Sequence, residues 1–166
     1  MGLDAMVFCD CVEKGRLTVP HPYPRLLYID DNGSPEIRSK DPVEIDEHDK
    51  WMDLPPCEHE QMMLDDDYLG NAGHISRLYE ILSGVAAGHA RAFPVLLGKV
   101  LYSGTHCGDH LTIRDVRGLS SELDRLEKMH LPTALPPEDA LQIASTASML
   151  RRLVKAALTA TKPIAF

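Results

Sequence analysis

The chain has 166 residues, 44% of them hydrophobic, and a net charge of −8, a size and balance that suit one domain over 1–166, which buries roughly 70% of its unfolded surface and needs no metal merely to fold. The acidic balance argues against nucleic acid and anionic membranes as partners, because counterion release needs a basic surface. There is no apolar run of about 18 residues and no signal-peptide pattern at the start, so the expected location is cytoplasmic, with the four cysteines as free thiols or metal ligands rather than a disulfide framework.

Taken in chain order, the first third (1–56) reads as strands, loops and proline-rich turns, and 57–166 reads as mainly helical. Leu3, Ala5, Val7, Cys9 and Cys11 alternate with Asp4, Met6, Phe8, Asp10 and Val12 up to Lys14-Gly15, which predicts a strand with both thiols on one side. Leu26 to Ile29 predicts a second strand. The Asn32-Gly33 turn then returns Glu36-Ile37-Arg38 as an antiparallel third. Residues 40–56 are acidic, hold Trp51 and end at Pro55-Pro56; they read as a loop with one helical turn.

Pro55-Pro56 also suits the first turn of a helix from Cys57 to Tyr68, with Glu58 and Glu60 at its positive end. Ile75, Leu78, Tyr79, Leu82, Val85 and Ala86 follow the spacing of an amphipathic helix that stops before Pro94. Pro94 to Tyr102 is apolar on nearly every side and central to the core; Pro94 in a first turn and Gly104 past the end favour a short helix over a strand. Thr112 and Asp115 form a capping-box pattern that opens a helix near Ile113, with Val116, Leu119, Leu123 and Leu126 on its core stripe. Pro132 to Pro137 is a linker, and a last helix runs to about Ala160. Its small residues Ala140, Ala144, Ala147 and Ala157 permit close packing or a homo-oligomer through that helix. The fold class is therefore α+β: a small, mostly antiparallel N-terminal sheet covered by about four or five helices.

All four cysteines lie in polar segments: Cys9-Asp10-Cys11, Cys57-Glu58-His59-Glu60 and His106-Cys107-Gly108-Asp109. Cys9, Cys11, Cys57 and His59 offer the three thiolates and one imidazole that tetrahedral zinc accepts. Their C-x-C and C-x-H spacings are tighter than the usual zinc knuckle, and a cluster of core thiols is the competing reading. Around Gly104 to His110, Cys107 is a candidate nucleophile, His106, His110 or the distant His59 a candidate base, and the glycines offer N–H groups to an oxyanion. Helix capping and turn formation account for the same segment without catalysis. Gly70-Asn71-Ala72-Gly73-His74 lacks the lysine of a phosphate loop, and Asp65-Asp66-Asp67 lacks the glycine of a calcium loop.

The early C-x-C followed by Glu13-Lys14-Gly15, the Cys57-Glu58-His59-Glu60 segment behind Trp51, Leu69-Gly70-Asn71 and Tyr102-Ser103-Gly104-Thr105-His106-Cys107-Gly108-Asp109 resemble segments of a small group of bacterial proteins with no assigned activity. The resemblance spans about residues 3 to 126 and implies no reaction, substrate or catalytic residue.

Residues 1–70 carry 17 acids against 6 Lys or Arg, whereas 71–166 carry 8 against 11. That asymmetry, with no complete catalytic motif, leads to the reading of a non-enzymatic, immunity-like binding protein whose acidic half meets a basic protein partner. Solvated acidic faces that merely keep the chain soluble are the plainer account. The alternative is a zinc- or cysteine-dependent hydrolase built on the Cys57/His59 and His106/Cys107 segments.

Overall fold

Alternating burial defines β1 (Gly2–Phe8): Leu3, Ala5 and Val7 point into the core, while Asp4 stays exposed and Met6 and Phe8 are half-buried. The computed structural model describes residues 2–85, 92–102, 106, 108–129, 132 and 135–166. The predicted strand through Cys11 ends earlier, at Phe8. Residues 10–15 instead form turns closed by Lys14 N–H to the Asp10 carbonyl at 3.0 Å and Arg16 N–H to the Cys11 carbonyl at 2.8 Å.

The expected hairpin is present as β2 (Leu27–Ile29) and β3 (Pro35–Ile37), paired antiparallel. It forms its own two-stranded sheet. The expected loop over 40–56 is a 12-residue helix, α1 (Pro42–Asp53), started by Pro42 in the first turn and by the Asp41 side chain accepting the Val43 N–H at 2.9 Å.

The largest correction falls on 57–68. Instead of a helix, a single 3-10 turn (Glu60–Met62) leads into β4 (Met63–Asn71), which pairs antiparallel with β1 along its whole length. Burying β1 on one face requires a partner strand for its ladder, and that tertiary demand overrides the helix-start signal of the two prolines. Register shifts at Leu3/Asp4 and Val7/Phe8 place two bulges in the pair.

Beyond β4 run α2 (Ala72–Val85), a short helical segment at Pro94–Val100 with π character, β5 (His110–Leu111), α3 (Ile113–Lys128), α4 (Pro137–Ala160) and β6 (Ile164–Ala165). The capping box at Thr112 is complete, with hydroxyl and carboxylate each accepting a backbone N–H of the other residue. The main sheet has order β4-β1-β6-β5 and is antiparallel throughout. The fold is thus α+β with helices packed on the sheet, as expected. The sheet is not confined to the N-terminal third, however, because β5 and β6 come from the other end of the chain.

Two apolar clusters result. The main core joins Leu3, Ala5 and Val7 to the inner faces of α2, α3 and α4 and to Leu96, Val100 and Leu101 of the apolar segment. Ala147 and Ala157 of α4 are spent on this core, while Ala144 remains exposed. The smaller cluster has only five fully buried members: Cys9, Cys11, Trp51, Cys57 and Met62. Among the described residues no helix is long and apolar enough to cross a membrane.

Candidate metal centre

The small cluster is assembled from the two loops that flank the β1–β4 ladder. Past Phe8 the ladder continues by one bond, Cys9 N–H to the Met62 carbonyl at 2.7 Å, which sets the Cys9 side chain against the 57–62 segment. The Cys9-Asp10-Cys11 turn is pinned by Asp10, a buried carboxylate that pairs with Lys14 at 2.5 Å and with Arg16. The Lys14 ammonium, helped by Arg16, holds the Asp10 carboxyl below the usual carboxylate range despite burial.

On the other side, Thr18 N–H reaches the Pro56 carbonyl at 2.8 Å and orients Cys57. Downstream, Gln61 (φ 46°) and Met62 (φ 58°) both occupy the left-handed region. Two consecutive non-glycine residues there cost of the order of 1–3 kcal/mol each. The conformation turns the chain sharply between His59 and β4, and it is held by the complete burial of Met62.

The outcome is a convergence of four ligand-type atoms from two segments about 48 residues apart in sequence. The sulfurs of Cys9, Cys11 and Cys57 and a ring nitrogen of His59 all lie within 4.8 Å of one another. Cys9 Sγ is 3.7 Å from Cys57 Sγ; His59 Nδ1 is 3.3 Å from Cys11 Sγ and 3.7 Å from Cys57 Sγ. For tetrahedral zinc with Zn–S of about 2.3 Å and Zn–N of about 2.0–2.1 Å, the edges of the tetrahedron are about 3.8 Å (S to S) and about 3.5 Å (S to N). Three of the six separations, 3.3 to 3.7 Å, are close to those edges, and the other three lie within 4.8 Å. The three thiols are 3%, 0% and 4% exposed, and His59 is half-buried.

Without a cation Cys9 and Cys11 are poor nucleophiles. Burial pushes Cys9 up to about 12, and burial also raises Cys11, with Cys57 adding to the rise in both cases. Such groups become thiolates only when a positive charge arrives, which is what a metal supplies.

A histidine pair stands next to the cluster. His21 and His48 are 4% and 5% exposed, and His21 Nε2 is 3.0 Å from His48 Nδ1. His21 Nδ1 accepts the Tyr23 N–H at 2.9 Å, so the proton of a neutral His21 sits on Nε2 and is donated to His48. Trp51 packs edge-on against His21, 4.7 Å between ring centroids, and its indole N–H donates to the Val19 carbonyl at 3.0 Å. Neither this pair nor Asp10 was singled out from sequence. The only available signal for Asp10 was its place between two cysteines with Lys14 and Arg16 just beyond.

The four predicted metal ligands are therefore together. The second constellation lies elsewhere: the His106 ring packs 4.3 Å from Tyr102 and 5.6 Å from Phe166, with Nε2 at 3.3 Å from the Tyr102 carbonyl. Asp109 accepts from the Tyr102 hydroxyl and lies 3.9 Å from His106 Nδ1. None of these neighbours belongs to the Cys9–His59 cluster. Cys107, the candidate nucleophile, and Gly104 lie outside the described residues.

No family model matches the chain, and neither does any curated protein or solved structure. The chemistry of the site has to be argued from its own geometry.

Proposed function

We propose that this chain is a zinc-binding, non-enzymatic protein in which Cys9, Cys11, Cys57 and His59 hold a structural ion, and whose acidic N-terminal half meets a basic protein partner. The observation that carries the reading is the convergence of four ligand atoms within 4.8 Å of one another, three of whose six separations, 3.3 to 3.7 Å, are close to the edges of a zinc tetrahedron. Four protein ligands close the coordination sphere and leave no position for substrate or water, which favours a structural over a catalytic ion. Three thiolates and a neutral imidazole also suit zinc better than the hard, oxygen-seeking cations.

A physical need supports the same role. The segment from Cys9 to Met62 holds a hairpin and α1, yet its own apolar cluster has five fully buried members. Small units with so little apolar burial are typically stapled by a metal or by disulfides. Zinc bound here fastens the loop after β1 to the loop before β4, and with it the Trp51 face of α1.

Cobalt(II) titration of the metal-free protein tests the site. Expected are a thiolate-to-cobalt charge-transfer band and the intense visible bands of a tetrahedral ion, saturating at one equivalent and lost when zinc is added. A weak octahedral spectrum, or the same spectrum in Cys57→Ala, would refute the assignment. For the partner, support comes from the 17 acids against 6 bases in residues 1–70, and the expected association weakens steeply with salt.

A further inference from the structure

The acidic triplet Asp65-Asp66-Asp67 is divided by the strand it lies on. In the β1–β4 register Val7 faces Asp65 and Ala5 faces Asp67, on the helix side of the sheet. There Arg152 of α4 pairs with both carboxylates. The opposite face carries the cross-strand pairs Asp4–Tyr68, Met6–Asp66 and Phe8–Met63. Asp4 and Asp66 are exposed, and among the described residues neither makes an ion pair or a hydrogen bond through its carboxylate.

These residues line a groove of about 430 Å3 on the outer sheet face. Its floor is half-buried Met6, Phe8 and Met63, and its rim holds the two unpaired carboxylates. Tyr68, 57% exposed, closes one end. Its ring lies across Gly2, where an added Cβ would sit 2.2 Å from Tyr68 Cε2, so the missing side chain sets the ring over the strand. One bulge lies at the Asp4 end of the groove and the other within it, between Met6 and Phe8, and bulges commonly re-aim side chains beside functional sites.

We propose that this groove docks an arginine-bearing segment of the basic partner, with the guanidinium between Asp4 and Asp66 and stacked on Tyr68, and the arginine stem along Met6 and Phe8. A planar, weakly hydrated cation with a long apolar stem complements an apolar floor, an aromatic face and two free carboxylates. The inference rests on the basic-partner reading above and names its surface; it does not depend on the metal.

The test uses the full chain as purified, isotope-labelled for NMR and titrated with a hexa-arginine peptide and, separately, a hexa-glutamate peptide. Expected are saturable shifts confined to residues 4–8 and 63–68 with hexa-arginine and none with hexa-glutamate. The double variant Asp4→Asn, Asp66→Asn should weaken binding at least about tenfold, since each lost contact to a charged group removes a substantial part of the affinity. Tyr68→Ala should weaken it separately. Both variants alter exposed side chains, and an unchanged melting temperature checks that the fold is intact. Shifts centred on Asp46, Asp49 and Asp53 of α1 would overturn the groove while leaving the basic-partner reading in place. Absence of saturable binding anywhere would overturn both.

Discussion

At the scale of single residues, the His21–His48 contact, 3.0 Å between ring nitrogens, joins the loop before β2 to α1. Burial and the neighbouring His48 hold His21 below its ordinary value of 6.5. As the pH falls, the unfolded chain therefore takes up the proton before the folded one does. The stability that His21 contributes is complete above about pH 6.5 and is lost as the pH drops through its folded value. Denaturation midpoints measured between pH 7.5 and pH 5 should fall, and the His21→Gln variant should flatten that part of the profile. A wild-type midpoint that rises toward pH 5 would contradict this account. At neutral pH, His48→Ala leaves the His21 Nε2–H buried without an acceptor, at a cost of roughly 1–3 kcal/mol by urea titration.

Among the elements, those whose pattern is local were legible in the sequence. The Thr112 capping box, the 3.6-residue stripe from Val116 to Leu126 and the Asn32-Gly33 hairpin each form where their residues predict, because cap, stripe and turn are satisfied within a few positions. Helix α1 was hidden for a physical reason. Its inward side chains are His48 and Trp51, whereas Val43 and Ile45 face solvent, so hydrophobic spacing gives no amphipathic signal. Strand β4 was hidden because Asp65 and Asp67 point inward to Arg152, a residue 85 positions away from Asp67, and two bulges break the alternation.

One helix-capping contact was equally invisible. Glu122 of α3, 2% exposed, accepts the N–H groups of Val95 and Leu96 at 2.9 and 2.7 Å, satisfying the start of the apolar helical segment from inside the core. Burial raises its carboxyl above the usual glutamate value, and the two amides pull against that shift. Replacing it by alanine removes both acceptors and leaves a cavity, so Glu122→Ala should lose roughly 2–4 kcal/mol by denaturant titration. A change within about 0.5 kcal/mol would show that water replaces the carboxylate without penalty.

Across the whole molecule, the described apolar residues divide into two clusters, and three cysteines belong to the smaller one. The main core packs α2, α3 and α4 on the sheet. The 9–62 segment, by contrast, closes around three thiols, a tryptophan and a methionine. That Cys9, Cys11, Cys57 and His59 meet was readable as a set of ligand types, but their placement depends on β4 bringing residues 57–62 back to the end of β1, an element the local pattern concealed. Lys162, buried, and its ion pair with Glu13 add a second tie, from the last turn of the chain to the loop after Cys11. Chelation of the metal should therefore loosen the N-terminal segment while the main core persists. Trp51, the only tryptophan, should shift its emission to the red with little loss of far-ultraviolet helix signal. Loss of both signals together would mean that the two clusters unfold as one unit.

Elemental analysis of protein purified without a histidine tag tests the central claim most directly. The account predicts about one zinc per chain in the wild type and less than about 0.1 in a Cys57→Ser, His59→Ala variant. Wild-type protein from zinc-supplemented cells that carries less than about 0.1 equivalent of any transition metal, or a variant that retains a full equivalent, would contradict it.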